Sequence, residues 1–180
     1  MHSRIFKVYV PEKQEIKDKK KIENSIRELI HRDIEQDIID SSGWTGMDWF
    51  NYTDNGQFKE DVEWFINAYT VPFNDKFKIN ENNFIEIDDK LIYELKEEEF
   101  ERVKKAIKKE LDRRVKEVEE MFKDKNKNAF WFWKASRTLY PCNGFLFYIE
   151  GYGLINDVEF YFAIKKADKI YIVESYDYHF

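Results

Sequence analysis

The sequence has little of what would place it in several common protein classes. Its 180 residues include one cysteine, three prolines and six glycines. A lone cysteine, Cys142, cannot form an intrachain disulfide, which argues against a small disulfide-stabilised secreted domain. No apolar run is long enough to span a bilayer, and the first residues lack the charged-then-apolar layout of a signal peptide. We therefore expect a cytoplasmic protein with no membrane partner.

Large aromatic and charged residues are abundant instead. Aromatic residues make up 18% of the chain and charged residues 37%. This composition is typical of a folded protein with a charged surface, and 180 residues are enough for one substantial core. With few prolines and glycines to form linkers, we predict a single α+β domain over residues 1–180.

The acidic residues are unevenly distributed. The net charge is −6. Residues 40–95 contain twelve Asp and Glu against four Lys and Arg, a local net charge of −8. The rest of the chain is close to neutral, so the acidic excess lies in this one segment, which we call the acidic segment.

The clearest structural signal is an amphipathic helix over residues 96–128. Apolar residues recur there at steps of three or four, which is the spacing of one helix face. They are Phe100, Val103, Ile107, Leu111, Val115, Val118 and Phe122. Lys and Arg alternate with Asp and Glu between them, so we interpret the apparent basic run as a solvated face with ion pairs. This helix is expected to pack along the C-terminal sheet.

Weaker patterns complete the predicted fold. We expect a second long helix over 12–40 and a short helix over 57–69 that Thr53 or Asp54 caps. Strands are predicted over 4–10, 76–79, 83–87, 91–95, 144–150, 157–165 and 169–177, with a tight turn at 88–89. The resulting α+β fold is an antiparallel sheet of about four to six strands, with two long helices and one short helix packed on one face.

Motifs for catalysis or metal binding are incomplete. Glu28 and His31 have the Glu-x-x-His spacing of carboxylate-bridged metal sites, but the chain has no second copy. Nothing near Cys142 would activate its thiol. We therefore predict no catalytic residues, no metal and no cofactor, and keep a metal-dependent enzyme that uses Glu28 and His31 as an alternative.

A run of aromatic residues, Phe130-Trp-Phe-Trp133, stands beside Lys134 and Arg137. Exposed aromatic rings next to cations can stack the bases of a single strand. Four consecutive large residues must point in several directions, however, and the net charge of the chain is negative. We therefore do not expect direct nucleic-acid binding.

The acidic segment is the better candidate for function because it also contains Trp44, Trp49, Phe50, Tyr52 and Trp64. Aromatic side chains are frequent anchors of protein interfaces, and carboxylates can occupy sites that bind phosphates. The predicted partner-binding residues are Asp48, Trp49, Asp54, Asp61 and Glu63, with Asp61 and Glu63 on the outward face of the 57–69 helix. They point to a non-enzymatic acidic inhibitor that blocks the nucleic-acid site of a basic protein.

The two ends of the sequence, Arg4-Ile-Phe6 and Asp177-Tyr-His-Phe180, resemble those of small proteins carried by bacterial phages and mobile elements. The resemblance implies an anti-CRISPR-like inhibitor whose partner is an RNA-guided nuclease of the bacterial host. It transfers no site residues. An immunity protein that neutralises a toxin is the other alternative, and the oligomeric state stays open.

Overall fold

The computed structural model describes residues 2–37, 49–123, 129–139 and 145–179. The strands are β1 (His2–Tyr9), β2 (Trp49–Tyr52), β3 (Phe84–Ile87), β4 (Lys90–Lys96), β5 (Phe145–Ile149), β6 (Gly153–Ile155) and β7 (Lys169–His179). The principal helices are α1 (Lys19–His31), α2 (Asn55–Thr70), α3 (Glu97–Met121), α4 (Ala129–Leu139) and α5 (Asp157–Ile164). Within these residues, no helix has the length and apolar character needed to cross a membrane.

All seven strands belong to one sheet with the order β3-β4-β7-β1-β5-β6, and β2 pairs with the second half of β7. The α+β class is therefore confirmed. The sheet has more strands than expected, and it is mixed, since β1 and β5 run parallel with Phe6 opposite Phe147. The other pairs are antiparallel. Parallel neighbours need a long crossover connection, and here most of the chain provides it.

Helices cover both faces of the sheet, so the expectation that they lie on one face is wrong. Alternate residues of β1 point to opposite sides. Ile5 packs with α1 through Ile22 and Ile26. Phe6 and Val8 belong to the larger core on the other side, which also contains the buried residues of α2, α3 and α5.

Helix α3 is the predicted amphipathic helix, and its apolar stripe is buried only in the first half. Phe100, Val103 and Ile107 are fully buried, whereas Val115 is 48% exposed. The buried residue of the second half is Arg114. The helix ends at Met121, and residues 124–128 of the prediction lie outside the described residues. Helix α3 also contacts α4, a contact that was not predicted from the sequence.

The strand predicted over 157–165 is wrong, because these residues form α5. Asn156 accepts hydrogen bonds from the backbone N–H groups of Val158 (2.9 Å) and Glu159 (3.1 Å). Glu159 in turn accepts one from the backbone N–H of Asn156 at 3.1 Å. This reciprocal capping box fixes the first turn of a helix. Phe160 and Ile164, four residues apart, are then the fully buried pair.

Some of the remaining helix and strand predictions are confirmed, and others are wrong. The α2 helix with Asp54 as its cap is confirmed, as are the β3–β4 hairpin and β7, which lies inside the sheet. Asp88 and Asp89 form the hairpin turn with φ of 51° and 62°, as a type I′ turn requires. Residues 76–79 form no strand, and β2, β6 and α4 were not predicted. Helix α1 is shorter than the helix predicted over 12–40, of which residues 38–40 lie outside the described residues.

Candidate functional site

Half of the carboxylates in the described part of the acidic segment form ion pairs. Five carboxylates are paired: Asp61 with Arg4, Asp75 with Arg102, Glu81 with Lys59, Asp88 with Arg27, and Glu94 with Lys96 and Lys169. All these cations except Lys59 come from outside the segment. Five other carboxylates have no cation partner among the described residues: Asp54, Glu60, Glu63, Glu86 and Asp89. The local charge is therefore smaller at the surface than the sequence indicates.

Asp61 is the clearest correction to the predicted site. It is only 1% exposed, so the expectation that it faces outward is wrong. Its Oδ1 accepts hydrogen bonds from Arg4 Nε at 2.9 Å and Gln57 Nε2 at 3.0 Å. Its Oδ2 accepts one from Ser175 Oγ at 2.8 Å. These contacts join α2 to β1 and β7, which gives Asp61 a structural role.

The outer face of α2 consists of Glu60, Glu63 and Trp64, which are three and four residues apart and therefore adjacent. Glu60 is exposed, Glu63 is half-buried, and Trp64 is 43% exposed. The Trp64 ring packs against Phe145, with 4.6 Å between ring centroids, and the Arg4 guanidinium lies 5.9 Å from its centroid. The outer face thus presents a held aromatic ring beside two carboxylates.

The first turn of α2 brings further acidic groups to one place. Asp54 Oδ1 caps the helix by accepting a hydrogen bond from Gln57 N at 2.8 Å. The next residue, Asn55, donates through Nδ2 to the Asp89 carbonyl at 3.3 Å and accepts from Leu91 N at 3.2 Å. Asn55 therefore fixes the exposed β3–β4 turn beside the start of α2, so that the exposed carboxylates of Asp54 and Asp89 lie in the same region.

Less is described of Trp49 and Asp48, the other predicted site residues. Trp49 begins β2, where its backbone is opposite His179 of β7. Asp48 lies outside the described residues. Of the predicted set, the structure thus places Asp54 at the start of α2 and Glu63 on its outer face. It buries Asp61, which bonds to the same Arg4 that lies beside the Trp64 ring. Trp64 was noted among the aromatic residues of the acidic segment but was not included in the predicted partner-binding set, and Glu60 was not named. Their i,i+4 spacing within the predicted helix was the available signal.

His31, one of the two residues of the alternative metal site, has another partner. His31 Nε2 lies 3.2 Å from Asp88 Oδ2, and Arg27 Nε donates to the same oxygen at 3.0 Å. The hydrogen bond from Arg27 lowers the pKa of Asp88, which therefore stays ionised and paired. Over residues 2–37, 49–123, 129–139 and 145–179, no three His, Cys, Asp or Glu side chains are grouped to hold a metal ion.

Helix α4 carries the aromatic run that sequence reasoning left without a secondary structure. Phe130, Phe132 and Trp133 are between 57% and 60% exposed. They surround the helix, with only Ala135 buried. Lys134 Nζ lies 5.4 Å from the centroid of the Trp131 ring. An exposed apolar surface of this kind is typical of interaction sites.

Taken together, the described surface offers carboxylates without cation partners beside aromatic rings that packing holds in place. Such an arrangement can bind a cationic surface through charge attraction and an aromatic anchor. Comparisons with known proteins give no matching family model, no matching curated protein and no matching solved structure.

Proposed function

We propose that this chain is a non-enzymatic binding protein that inhibits a basic nucleic-acid-binding protein by occupying its nucleic-acid site. The partner class is an RNA-guided nuclease of a bacterial host, as the resemblance to phage and mobile-element proteins implies, and the site of action is then the bacterial cytoplasm. The contact surface is the outer face of α2 together with Asp54 and Asp89.

The observation that carries this proposal is the setting of Trp64. The ring is 43% exposed, yet it packs on Phe145 within 4.6 Å. A tryptophan that is already ordered loses little side-chain entropy on binding, and tryptophan is among the commonest interface hot spots. Glu60 and Glu63 beside it have no cation partner among the described residues, so both carboxylates can contact cations of a partner.

The charge of the chain supports a basic partner. The net charge is −6, and the five unpaired carboxylates of the acidic segment remain for intermolecular contacts. Carboxylates facing a phosphate-binding surface accelerate association and make it dependent on ionic strength. A nucleic-acid-cleaving toxin presents a similar surface, so identification of the bound partner separates a nuclease inhibitor from an immunity protein.

The test has two stages. The purified chain is used to capture proteins from a lysate of its source cell, and the recovered protein is then titrated with labelled nucleic acid in the presence and absence of the chain. We expect the chain to displace the nucleic acid, and the displacement to weaken as the salt concentration rises. The variant Glu60→Gln/Glu63→Gln/Trp64→Ala is expected to lose displacement by at least about tenfold, since hot-spot truncations cost 2 kcal/mol or more.

The matched control replaces two exposed glutamates and one exposed aromatic residue elsewhere, as Glu98→Gln/Glu119→Gln/Tyr152→Ala. This variant should displace nucleic acid as well as the unmodified chain does. The proposal fails if both triple variants behave alike, if the complex is insensitive to salt, or if the partner keeps its nucleic acid when the chain is bound.

A further inference from the structure

A cavity of about 450 Å³ lies between α3 and α5, and none of its lining residues belongs to the outer face of α2. Its walls are mainly apolar, and the last described residue of α4 contributes to them. The lining residues are Lys108, Leu111, Asp112, Arg114, Val115, Leu139, Val158, Tyr161, Phe162 and Lys165. The volume is within the range of about 300–1,000 Å³ that is usual for small-molecule sites.

Arg114 is the unusual member of this wall. Its side chain is only 2% exposed, although it is charged. Nε donates to Glu110 Oε1 at 3.0 Å, and Nη2 lies 2.8 Å from Asp157 Oδ2. Nη1 is buried and has no hydrogen-bond acceptor among the described residues. A buried donor without an acceptor is costly, and Arg114 is among the residues that line the cavity.

The charges around the cavity favour an anionic acceptor. Lys108 Nζ is neutralised by Asp112, whose Oδ2 is 2.5 Å away. Glu110 and Asp157 compensate Arg114, and Glu110 is shared with Arg113. Lys165 lines the cavity and has no carboxylate partner among the described residues; its Nζ lies 4.2 Å from the centroid of the Phe162 ring. This leaves one uncompensated cation beside the unpaired donor.

From these observations we infer that the cavity between α3 and α5 binds a small amphipathic carboxylate, whose apolar body lies against the helices and whose anionic group faces Arg114 and Lys165. Neither the buried donor nor the cation would favour an alkylammonium, and a purely apolar ligand would leave Nη1 unpaired. This site is separate from the proposed protein-binding surface, so the two proposals can succeed or fail independently.

The test is isothermal titration calorimetry with decanoate, with decyltrimethylammonium as the cation of equal chain length. We expect decanoate to bind with one-to-one stoichiometry and at least tenfold more tightly than the cation. Val115→Trp should weaken decanoate binding at least tenfold, because the added ring fills the cavity from an exposed position. Val71→Trp is the matched control; Val71 is 47% exposed and lies outside the cavity, so binding should be unchanged.

A second variant separates charge from shape. Lys165 is exposed, so Lys165→Glu should fold normally. It should weaken decanoate binding at least tenfold and leave binding of the cation unchanged or stronger. The inference is overturned if decanoate shows no saturable binding, if both probes bind equally, or if Val115→Trp and Lys165→Glu bind decanoate as the unmodified chain does.

Discussion

Lys7 and Glu174 face each other across β1 and β7 and form an ion pair that is buried on both sides. Lys7 Nζ lies 3.0 Å from Glu174 Oε2, and the two side chains are 1% and 7% exposed. Nζ also donates to the Arg32 carbonyl at 2.9 Å, and the Tyr176 hydroxyl donates to Glu174 at 2.7 Å. Burial lowers the pKa of Lys7 despite the adjacent carboxylate.

Removing Lys7 should therefore destabilise the sheet strongly. In Lys7→Met the buried carboxylate of Glu174 loses Lys7 but keeps Lys90, whose Nζ lies 3.3 Å from Oε1. Breaking a buried pair costs about 3–5 kcal/mol when the remaining charge is uncompensated, so we expect a loss toward the lower end of that range. Replacing both residues, as Lys7→Met/Glu174→Leu, should recover part of the loss because no buried charge is left. The free energy of unfolding in urea measures both effects.

The exposed pair Lys19–Glu23 is a suitable comparison, since Lys19 is 90% exposed and Nζ–Oε1 is 3.6 Å. Lys19→Ala should change the urea midpoint little, because solvent screens such pairs. Equal effects of Lys7→Met and Lys19→Ala would show that burial adds nothing to the Lys7–Glu174 interaction.

Asp61 should contribute to stability, in contrast to the adjacent Glu60. Asp61→Asn keeps the size of the side chain but removes the charge that faces Arg4 and changes an acceptor of Ser175 into a competing amide. We expect a loss of about 2 kcal/mol in the free energy of unfolding, which is typical of a buried charged hydrogen bond. Glu60→Gln, at the exposed neighbouring position, should leave stability unchanged. The reverse order would contradict the inward orientation of Asp61.

Buried tyrosines should make the fold sensitive to alkali. Burial raises the pKa of Tyr9 and of Tyr148 to about 12, and it also raises the pKa values of Tyr69, Tyr93, Tyr171 and Tyr176. In the unfolded chain tyrosines ionise near pH 10. Above that pH the unfolded chain releases protons that the folded chain keeps, so stability falls as pH rises.

The urea midpoint should accordingly be lower near pH 11 than near pH 8, and the decrease should be smaller in Tyr148→Phe. The lowered pKa of Lys7 acts in the opposite direction. The free-energy cost of burying its charge diminishes as pH rises toward the ordinary lysine pKa, and this increases stability. We still expect a net decrease, because the six tyrosines named above act against this one lysine. Ultraviolet absorbance should show tyrosines of the native protein ionising at higher pH than those in urea. Coincident titrations would disprove this prediction.

The contribution of the α5 capping box to the free energy of unfolding should be measurable with single substitutions of Asn156. Asn156→Ala removes the acceptor of two backbone N–H groups and should cost about 1 kcal/mol. Asn156→Asp keeps an acceptor oxygen at the same place and should retain most of the stability. If Asn156→Ala and Asn156→Asp are equally stable in urea, the side-chain cap does not support this helix.

The sequence alone predicted well those helices and turns that are determined by residues close together in the chain. Asp54 marks the start of α2, and Asp88-Asp89 marks the β3–β4 turn; both effects act over a few residues. The α5 segment was ambiguous because Phe160 and Ile164 fit a helix, while every second residue from Val158 onward fits a strand. Its outcome depends on Asn156, which lies just outside the apolar run.

The candidate site could be predicted only in part, because some of its contacts join residues that are far apart in the chain. Asp61 meets Arg4 and Ser175, which are 57 and 114 residues away along the chain. No local pattern identifies such partners, so an acidic residue on a helix appeared to be a surface group. The same holds for the parallel pairing of β1 with β5, which depends on the path of the whole chain.

The position of β1 has a consequence for synthesis on the ribosome. Both neighbours of this strand, β5 and β7, are made more than a hundred residues later, and Lys7 is separated from Glu174 by 167 positions. The nascent chain therefore carries Ile5, Phe6 and Val8 without their partner strands β5 and β7 until late in translation. Pairing over such sequence distances is slow and leaves apolar segments available to chaperones. The centre of the sheet is thus completed late, only after β7 has emerged.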